Sequence, residues 1–177
     1  MPKILKTGRI PVSPWMEVIT RDVELSAQAP VETYYAIAQP DYVVVLAFTP
    51  DTRVLLVEQF RPAIERMSLE LPAGLVDPNE DPQATAVREL LEETGYPART
   101  IEPIGKGATC SSRISNTTHA FFIRTGERVS SFVEEPGVRV RTVSTRELGA
   151  LVLSGEFSEQ THLGALALAS LRGLLTF

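Results

Sequence analysis

Two nearly continuous apolar runs, residues 42–49 (YVVVLAFT) and 53–60 (RVLLVEQF), interrupt a chain whose other segments mix apolar and polar positions. Runs of this kind predict strands buried on both faces, and Pro50-Asp51-Thr52 between them has turn chemistry, so a buried central hairpin is expected. Upstream, residues 15–25 (WMEVITRDVEL) alternate loosely and residues 33–39 (TYYAIAQ) are β-rich up to Pro40, which predicts an antiparallel pair ahead of the main domain. Downstream of the central runs, a polar loop over 61–70 leads to a short strand at 69–71 and then to Pro72-Ala73-Gly74. The spacing next predicts a helix, with Asp81 as its cap, Pro82 in the first turn, Gly95 closing it and Pro97 beyond. Ala84, Val87, Leu90 and Leu91 are expected to form its buried stripe. Further strands are expected at 101–110 and 120–124, joined by a polar loop from Ser111 to Asn116. The alternating VRVRTV at 138–143 follows the turn Glu134-Glu135-Pro136-Gly137, and helical periodicity covers 145–153 and 159–175. Strands, a helix, more strands and more helices in this order predict an α+β fold rather than a parallel βαβ array.

The helix after Gly74 also carries the densest acid cluster. At about 100° per residue, Glu89 and Glu93 lie roughly 40° apart around the axis with Glu92 close by, so all three share one face. Carboxylates this close raise each other's pKa unless positive charge sits among them. Oxygen donors without His or Cys select Mg²⁺ or Mn²⁺, and Mg²⁺ keeps waters that also reach phosphate oxygens. The expected chemistry is therefore on a phosphate ester or anhydride.

Composition narrows the class. The chain has 177 residues, 17 basic and 22 acidic, for a net charge of −5. No Lys/Arg block stands out, so a nucleic-acid partner is not expected and a small ligand is. Cys110 is the single cysteine, which excludes an internal disulfide and suits a reducing compartment. No apolar run reaches signal-peptide or membrane-span length, so a cytoplasmic protein without a membrane partner is expected.

Taken whole, the segment has Gly74, then Glu80 after five residues, then Arg88-Glu89-Leu90 after seven more, and finally Leu91-Glu92-Glu93-Thr94-Gly95-Tyr96. This spacing resembles the Nudix box, the signature of the Nudix hydrolases, at every fixed position. The resemblance implies an α/β/α sandwich with a mixed sheet, and hydrolysis of a nucleoside diphosphate linked to another moiety. It implies Glu89, Glu92 and Glu93 as metal ligands, joined by the Ala73 carbonyl, with Glu93 central to catalysis. Glu80 and Arg88 would form an ion pair that orients the helix.

Glu58-Gln59-Phe60-Arg61 and Leu69-Glu70-Leu71-Pro72-Ala73-Gly74 resemble the ADP-ribose pyrophosphatase branch. That likeness implies an N-terminal β arm over 1–40 exchanged between the subunits of a homodimer, a hydrolase domain over 41–177, and Arg61 as a substrate contact. The branch often carries a proline well after the box, where this chain has Cys110-Ser111-Ser112-Arg113. Arg113 is thus a second candidate substrate contact, which would pair with a charged group on a leaving moiety other than that of ADP-ribose, the alternatives among nucleoside diphosphate derivatives being GDP-mannose or a dinucleotide. The family often draws its general base from a loop distant from the box, and Glu134 and Glu135 occupy the matching stretch. A module that binds a nucleotide without cleaving it is the non-enzymatic alternative, and its expected mark, loss of a box acid, is missing.

Overall fold

The computed structural model describes residues 1–177, and the chain divides into two compact units: Met1–Asp41 with Gly107–Thr117, and Tyr42–Lys106 with Thr118–Phe177. The first unit holds a three-stranded antiparallel sheet in the order β1 (Lys3–Ser13), β2 (Met16–Glu24), β3 (Val31–Ala38). Two strands are legible there from the sequence; the third, β1, is not. Its exposed residues KILKTGRIPVS give no clear alternation, and it is held by its backbone ladder to β2, from Lys3↔Glu24 to Ser13↔Met16. Irregularities fall between Ile4 and Lys6 and between Pro11 and Ser13, the second beside a proline that lacks a ladder donor. The Arg9 guanidinium adds a cross-strand pair to Glu17 at 2.5 Å. Segment Gly107–Thr117 joins this unit through β3: the Ile37 N–H donates to the Arg113 carbonyl at 2.7 Å and the Ser115 N–H to the Ile37 carbonyl at 3.0 Å.

The second unit runs β4 (Tyr42–Phe48), β5 (Val54–Arg61), β6 (Arg66–Glu70), β7 (Ala73–Leu75), α1 (Pro82–Thr94), β8 (Ala98–Ala108), β9 (Thr117–Thr125), β10 (Val138–Val143), α2 (Thr145–Ser154) and α3 (Gln160–Leu171). Its sheet has the order β10-β5-β4-β9-β8, with β6 on β5 and β7 on β4. β4 and β9 run parallel, whereas β5 runs antiparallel to β10, β4 and β6, and β7 antiparallel to β4, so the sheet is mixed. Successive strand residues face opposite ways. Val43, Val45, Ala47, Leu55, Phe121 and Ile123 therefore pack with Ala86 and Leu90 of α1, while Val44, Leu46, Leu56 and Phe122 pack with Leu148 of α2 and Leu166 of α3. Helices cover both faces, which is why β4 and β5 read as unbroken apolar runs. The result is the α/β/α sandwich.

The central pair departs from the expected hairpin. β4 and β5 meet at one position, Phe48↔Val54, and then part. β7 takes the β4 edge from Tyr42↔Leu75 to Val44↔Ala73, and β6 takes β5 from Val57↔Glu70 to Arg61↔Arg66. Strands buried on both faces carry no register signal that would have shown this. The supposed loop over 61–70 is correspondingly the end of β5, a turn with Glu65 at φ 53, and the whole of β6; its polarity reflects the exposed Glu65 and Arg66.

Helix α1 has its expected caps. The Asp81 carboxylate accepts the Gln83 N–H at 3.2 Å, Pro82 opens the first turn, and Gly95 at φ 74 donates its N–H to the Leu91 carbonyl. Its buried face is shifted from the predicted stripe: Thr85, Ala86, Leu90 and Thr94 are buried, whereas Ala84 and Leu91 are exposed. The two threonines tolerate burial because their hydroxyls are satisfied locally, Thr85 by Glu80 and Thr94 by the Leu90 carbonyl. Helix α2 opens with a reciprocal capping box between Ser144 and Glu147. Helix α3 ends at Leu171 rather than 175, where the chain turns through Arg172 and Gly173 at φ 71.

Candidate metal and active site

The site is built where β7 passes the last two turns of α1. The Ala73 N–H donates to Glu93 Oε2 at 3.0 Å, and the preceding Pro72 carbonyl accepts the Val45 N–H at 2.9 Å. One residue on, Glu89 lies against the backbone of Gly74. A Cβ at Gly74 would fall 2.1 Å from Glu89 Cδ, so glycine is required for that approach.

Arg88 is the hub of the acidic face. Its Nε and Nη2 donate to the two oxygens of Glu80 at 3.1 and 2.9 Å, and its Nη1 donates to Glu89 at 2.8 Å and Glu92 at 3.0 Å. Thr85 Oγ1 donates to the same Glu80 carboxylate at 2.8 Å. The Arg88 and Thr85 hydrogen bonds hold the Glu80 carboxyl down to about 2. Glu93 is opposite in character: burial pushes its carboxyl up to about 8, the Ala73 N–H partly offsets this, and the Glu89 charge adds to it. Burial also raises Glu89.

In this arrangement no three acid, histidine or cysteine side chains converge on a point that would hold an ion. Arg88 draws Glu89 and Glu92 to itself, and Glu93 turns to Ala73. The donor set nevertheless suits a hard divalent cation. All its groups are oxygens, Glu93 is a largely buried acid, and the absence of a side chain at Gly74 lets the Glu89 carboxylate reach the backbone beside Ala73.

Arg61 ends β5 and is engaged with Glu70, Nε to Oε1 at 2.9 Å and Nη2 to Oε2 at 2.5 Å. Glu70 is buried, which raises its carboxyl, but the hydrogen bonds from Arg61 and Ser68 bring it below the usual range. Arg113 belongs to the first unit, where its backbone N–H reaches the Cys110 carbonyl at 3.0 Å. The two candidate bases differ. Glu134 Oε1 accepts Arg128 Nη2 at 3.0 Å, and Arg128 Nε donates to the Thr94 carbonyl at the end of α1, also at 3.0 Å. Phe132 packs over Gly95, where a Cβ would lie 2.3 Å from its ring, and the Arg128 guanidinium sits 4.9 Å from the Phe132 ring centre. The segment carrying Glu134 is thus seated on the C-terminal end of α1. Glu135 is exposed, and its carbonyl accepts the Val138 N–H at 3.0 Å.

Sequence reasoning passed over two residues that hold these parts in place, Arg128 and His162. Arg128 follows Gly126-Glu127 in an irregular stretch that gives no periodic signal. His162 is a lone histidine on an apolar helix, an ordinary core pattern, yet it bonds the Leu71 N–H of the loop before β7 at 3.0 Å.

With this geometry in hand, comparison with known proteins gives a consistent picture. The NUDIX domain profile matches residues 38–159. The chain is 34% identical over 123 residues to the ADP-ribose pyrophosphatase of Bacillus subtilis, covering 68% of this chain and 66% of that protein. It is 33% identical over 119 residues to the methanol dehydrogenase activator of Bacillus methanolicus, covering 67% and 64%. The matched region thus spans just under two thirds of the length of these two relatives. A crystal structure of an ADP compounds hydrolase superposes with a TM-score of 0.82 over 98% of this chain and 97% of that one, at 22% identity, and shares its fold. The box from Gly74 to Tyr96, the sandwich that carries it and the profile match over most of the chain place this protein in the Nudix family.

Proposed function

We propose that this chain is a divalent-metal-dependent pyrophosphohydrolase that cleaves ADP-ribose or a related nucleoside diphosphate sugar into a nucleoside monophosphate and a sugar phosphate. The observation that carries this reading is the packing of Ala73, Gly74, Glu89 and Glu93 into one oxygen-lined corner. Glu89, Glu92, Glu93 and the Ala73 carbonyl would hold Mg²⁺ or Mn²⁺. Bound there, the ion would neutralise the diphosphate and lower the pKa of a coordinated water. Glu80 fixes Arg88 by two hydrogen bonds and so orients the helix face on which the acids stand. Glu134, with Glu135 as the alternative, takes the proton of the attacking water. A new P–O bond forms from that water, the P–O–P bridge breaks, and the bridging oxygen leaves on the second phosphate. Arg61 and Arg113 would meet the negative charge of the substrate. Arg61 does so with the part of its guanidinium that Glu70 leaves free.

The Bacillus subtilis relative's name supports ADP-ribose as the first substrate to try. The Cys110-Ser111-Ser112-Arg113 stretch favours a second reading within the class, a different leaving group such as that of GDP-mannose or a dinucleotide. A homodimer is part of the proposal, supported by the first unit's sheet, on which Ile4, Ile10, Val12 and Tyr35 are exposed together with Trp15 in its β1–β2 turn. No helix is long and apolar enough to cross a membrane. A cytoplasmic location is part of the proposal, supported by the single cysteine, which suits a reducing compartment.

The test is a screen of nucleoside diphosphate derivatives with Mg²⁺, reading phosphate released after added phosphatase, with light scattering for mass. Turnover of ADP-ribose or a related sugar is expected, from a particle of two chains. Tight binding of one compound with no turnover of any would overturn the enzymatic reading in favour of a sensor.

A further inference from the structure

His162 stands on α3, beyond the last residue matched by the family profile, and is fully buried. Its ring stacks on Tyr42, with centroids 6.3 Å apart and planes 17° apart, and meets Phe157 at 6.4 Å. Nδ1 accepts the Leu71 N–H at 3.0 Å, so a neutral ring carries its proton on Nε2. That Nε2 has no hydrogen-bond partner; the nearest carboxylate oxygen, Glu159 Oε2, is 3.7 Å away and already accepts the His162 backbone N–H at 2.8 Å. An unpaired buried donor costs stability, and a leucine would fill the same space without it. What the imidazole supplies instead is an acceptor for Leu71.

That acceptor has leverage because of the residue that follows. Pro72 has no N–H, so the stretch Leu71-Pro72-Ala73 offers two backbone donors. One is taken by His162 from α3 and the other by Glu93 from α1, on opposite faces of the sheet. The Pro72 carbonyl, between them, is held by Val45 of β4. Three elements thus fix three consecutive residues, and the direction of the Ala73 carbonyl follows.

We propose that His162 is a positioning residue for the candidate metal site, acting through the Leu71 N–H to fix the Ala73 carbonyl and, with it, the Glu93 carboxylate. This rests on the reading above in taking Ala73 and Glu93 as metal ligands.

The experiment compares full-length wild type with H162N, whose amide oxygen keeps an acceptor near the Nδ1 position, and H162L, which removes it. Each is titrated with Mn²⁺ alone, read by electron paramagnetic resonance, and assayed for kcat and KM on the best substrate. Removing a group that orients a ligand is expected to weaken Mn²⁺ binding in H162L about 10-fold or more, with kcat falling and KM changing less than about twofold. H162N is expected to recover within about threefold of wild type. Amide exchange at Leu71 in wild type and H162N reads the same bond even if H162L does not fold, and slow exchange is expected in both. Wild-type Mn²⁺ affinity in H162L, equal impairment of H162N and H162L, or fast exchange at Leu71 would each overturn the proposal. Glu93→Gln in the same titration separates the two readings: wild-type affinity there removes the ligand assignment itself.

Discussion

Glu93 Oε2 accepts the backbone N–H of Ala73 at 3.0 Å, so a carboxylate proposed as a ligand holds the residue whose carbonyl is proposed as another. Glu93→Gln keeps the size of the side chain and an oxygen able to accept that bond while removing the charge. The expected outcome is a fall in kcat of about two to three orders of magnitude, the scale on which loss of one charge-stabilising group is felt. Circular dichroism should be unchanged, and saturating Mg²⁺ should not restore the rate.

The same residue sets a pH dependence in the metal-free protein. Its folded pKa is raised to about 8 from an ordinary 4.5, chiefly by burial. Below 4.5 both folded and unfolded chains hold the proton and the shift costs nothing. Between 4.5 and about 8 the unfolded chain releases it and the folded one does not, so stability falls as pH rises through this window and the penalty is complete above it. Melting temperatures in the presence of a chelator should therefore decline from pH 5 to pH 8 in the wild type. The slope should flatten in Glu93→Gln, which is expected to be the more stable protein at alkaline pH.

Glu80 gives the opposite sign in acid. Its folded pKa, held down to about 2 by Arg88 and Thr85, lies below the unfolded 4.5. The stability it contributes is fully present above 4.5 and is lost as pH falls toward 2. Acid unfolding curves of Glu80→Gln should lack this component, and the variant should already be less stable at pH 7 because Arg88 loses a charged partner.

Gly74→Ala places a methyl group 2.1 Å from Glu89 Cδ. The Glu89 side chain is flexible and can swing aside, so the fold should survive with a modest drop in melting temperature. Activity is expected to fall about tenfold or more, because the displaced carboxylate is one of the proposed metal ligands. Mn²⁺ titration should show the loss directly.

Glu134 and Glu135 should separate cleanly. Glu134→Gln is expected to lower kcat about 100-fold or more. Glu135→Gln is expected to stay within about threefold of wild type. A large effect at Glu135 with none at Glu134 would reverse the assignment.

Helix α1 was legible in the sequence because its signals are local: a capping Asp81, Pro82 beside it and Gly95 at a left-handed turn each act within one helical turn. The box spacing added the acids of the candidate site, since helical geometry alone puts them on one face. What stayed hidden depends on distant partners. The split of β4 from β5 is decided by β6, β7 and β9, none of which marks its partner in the sequence. Strand β1 owes its existence to β2 rather than to an apolar pattern. His162 reaches Leu71 across 91 positions of chain, and nothing near it in sequence announces the contact. The buried face of α1 does not follow from apolar residues alone, because Thr85 and Thr94 are buried with their hydroxyls bonded to Glu80 and to the Leu90 carbonyl.

The hairpin that opens after Phe48 and Val54 also leaves the chemistry on a short strand. Strand β7 meets β4 over three residue pairs, whereas β4 lies along the whole of its seven-residue parallel match with β9, from Tyr42↔Thr118 to Phe48↔Arg124. The corner that carries the chemistry is thus tied to the sheet by a short ladder, on the β4 edge opposite to β9. The bonds from His162 to Leu71 and from Glu93 to Ala73 make up for that short ladder, and slow hydrogen exchange at the corner should show it. A change at either side chain would therefore loosen the corner alone, while the apolar layers on either side of the sheet stay shut.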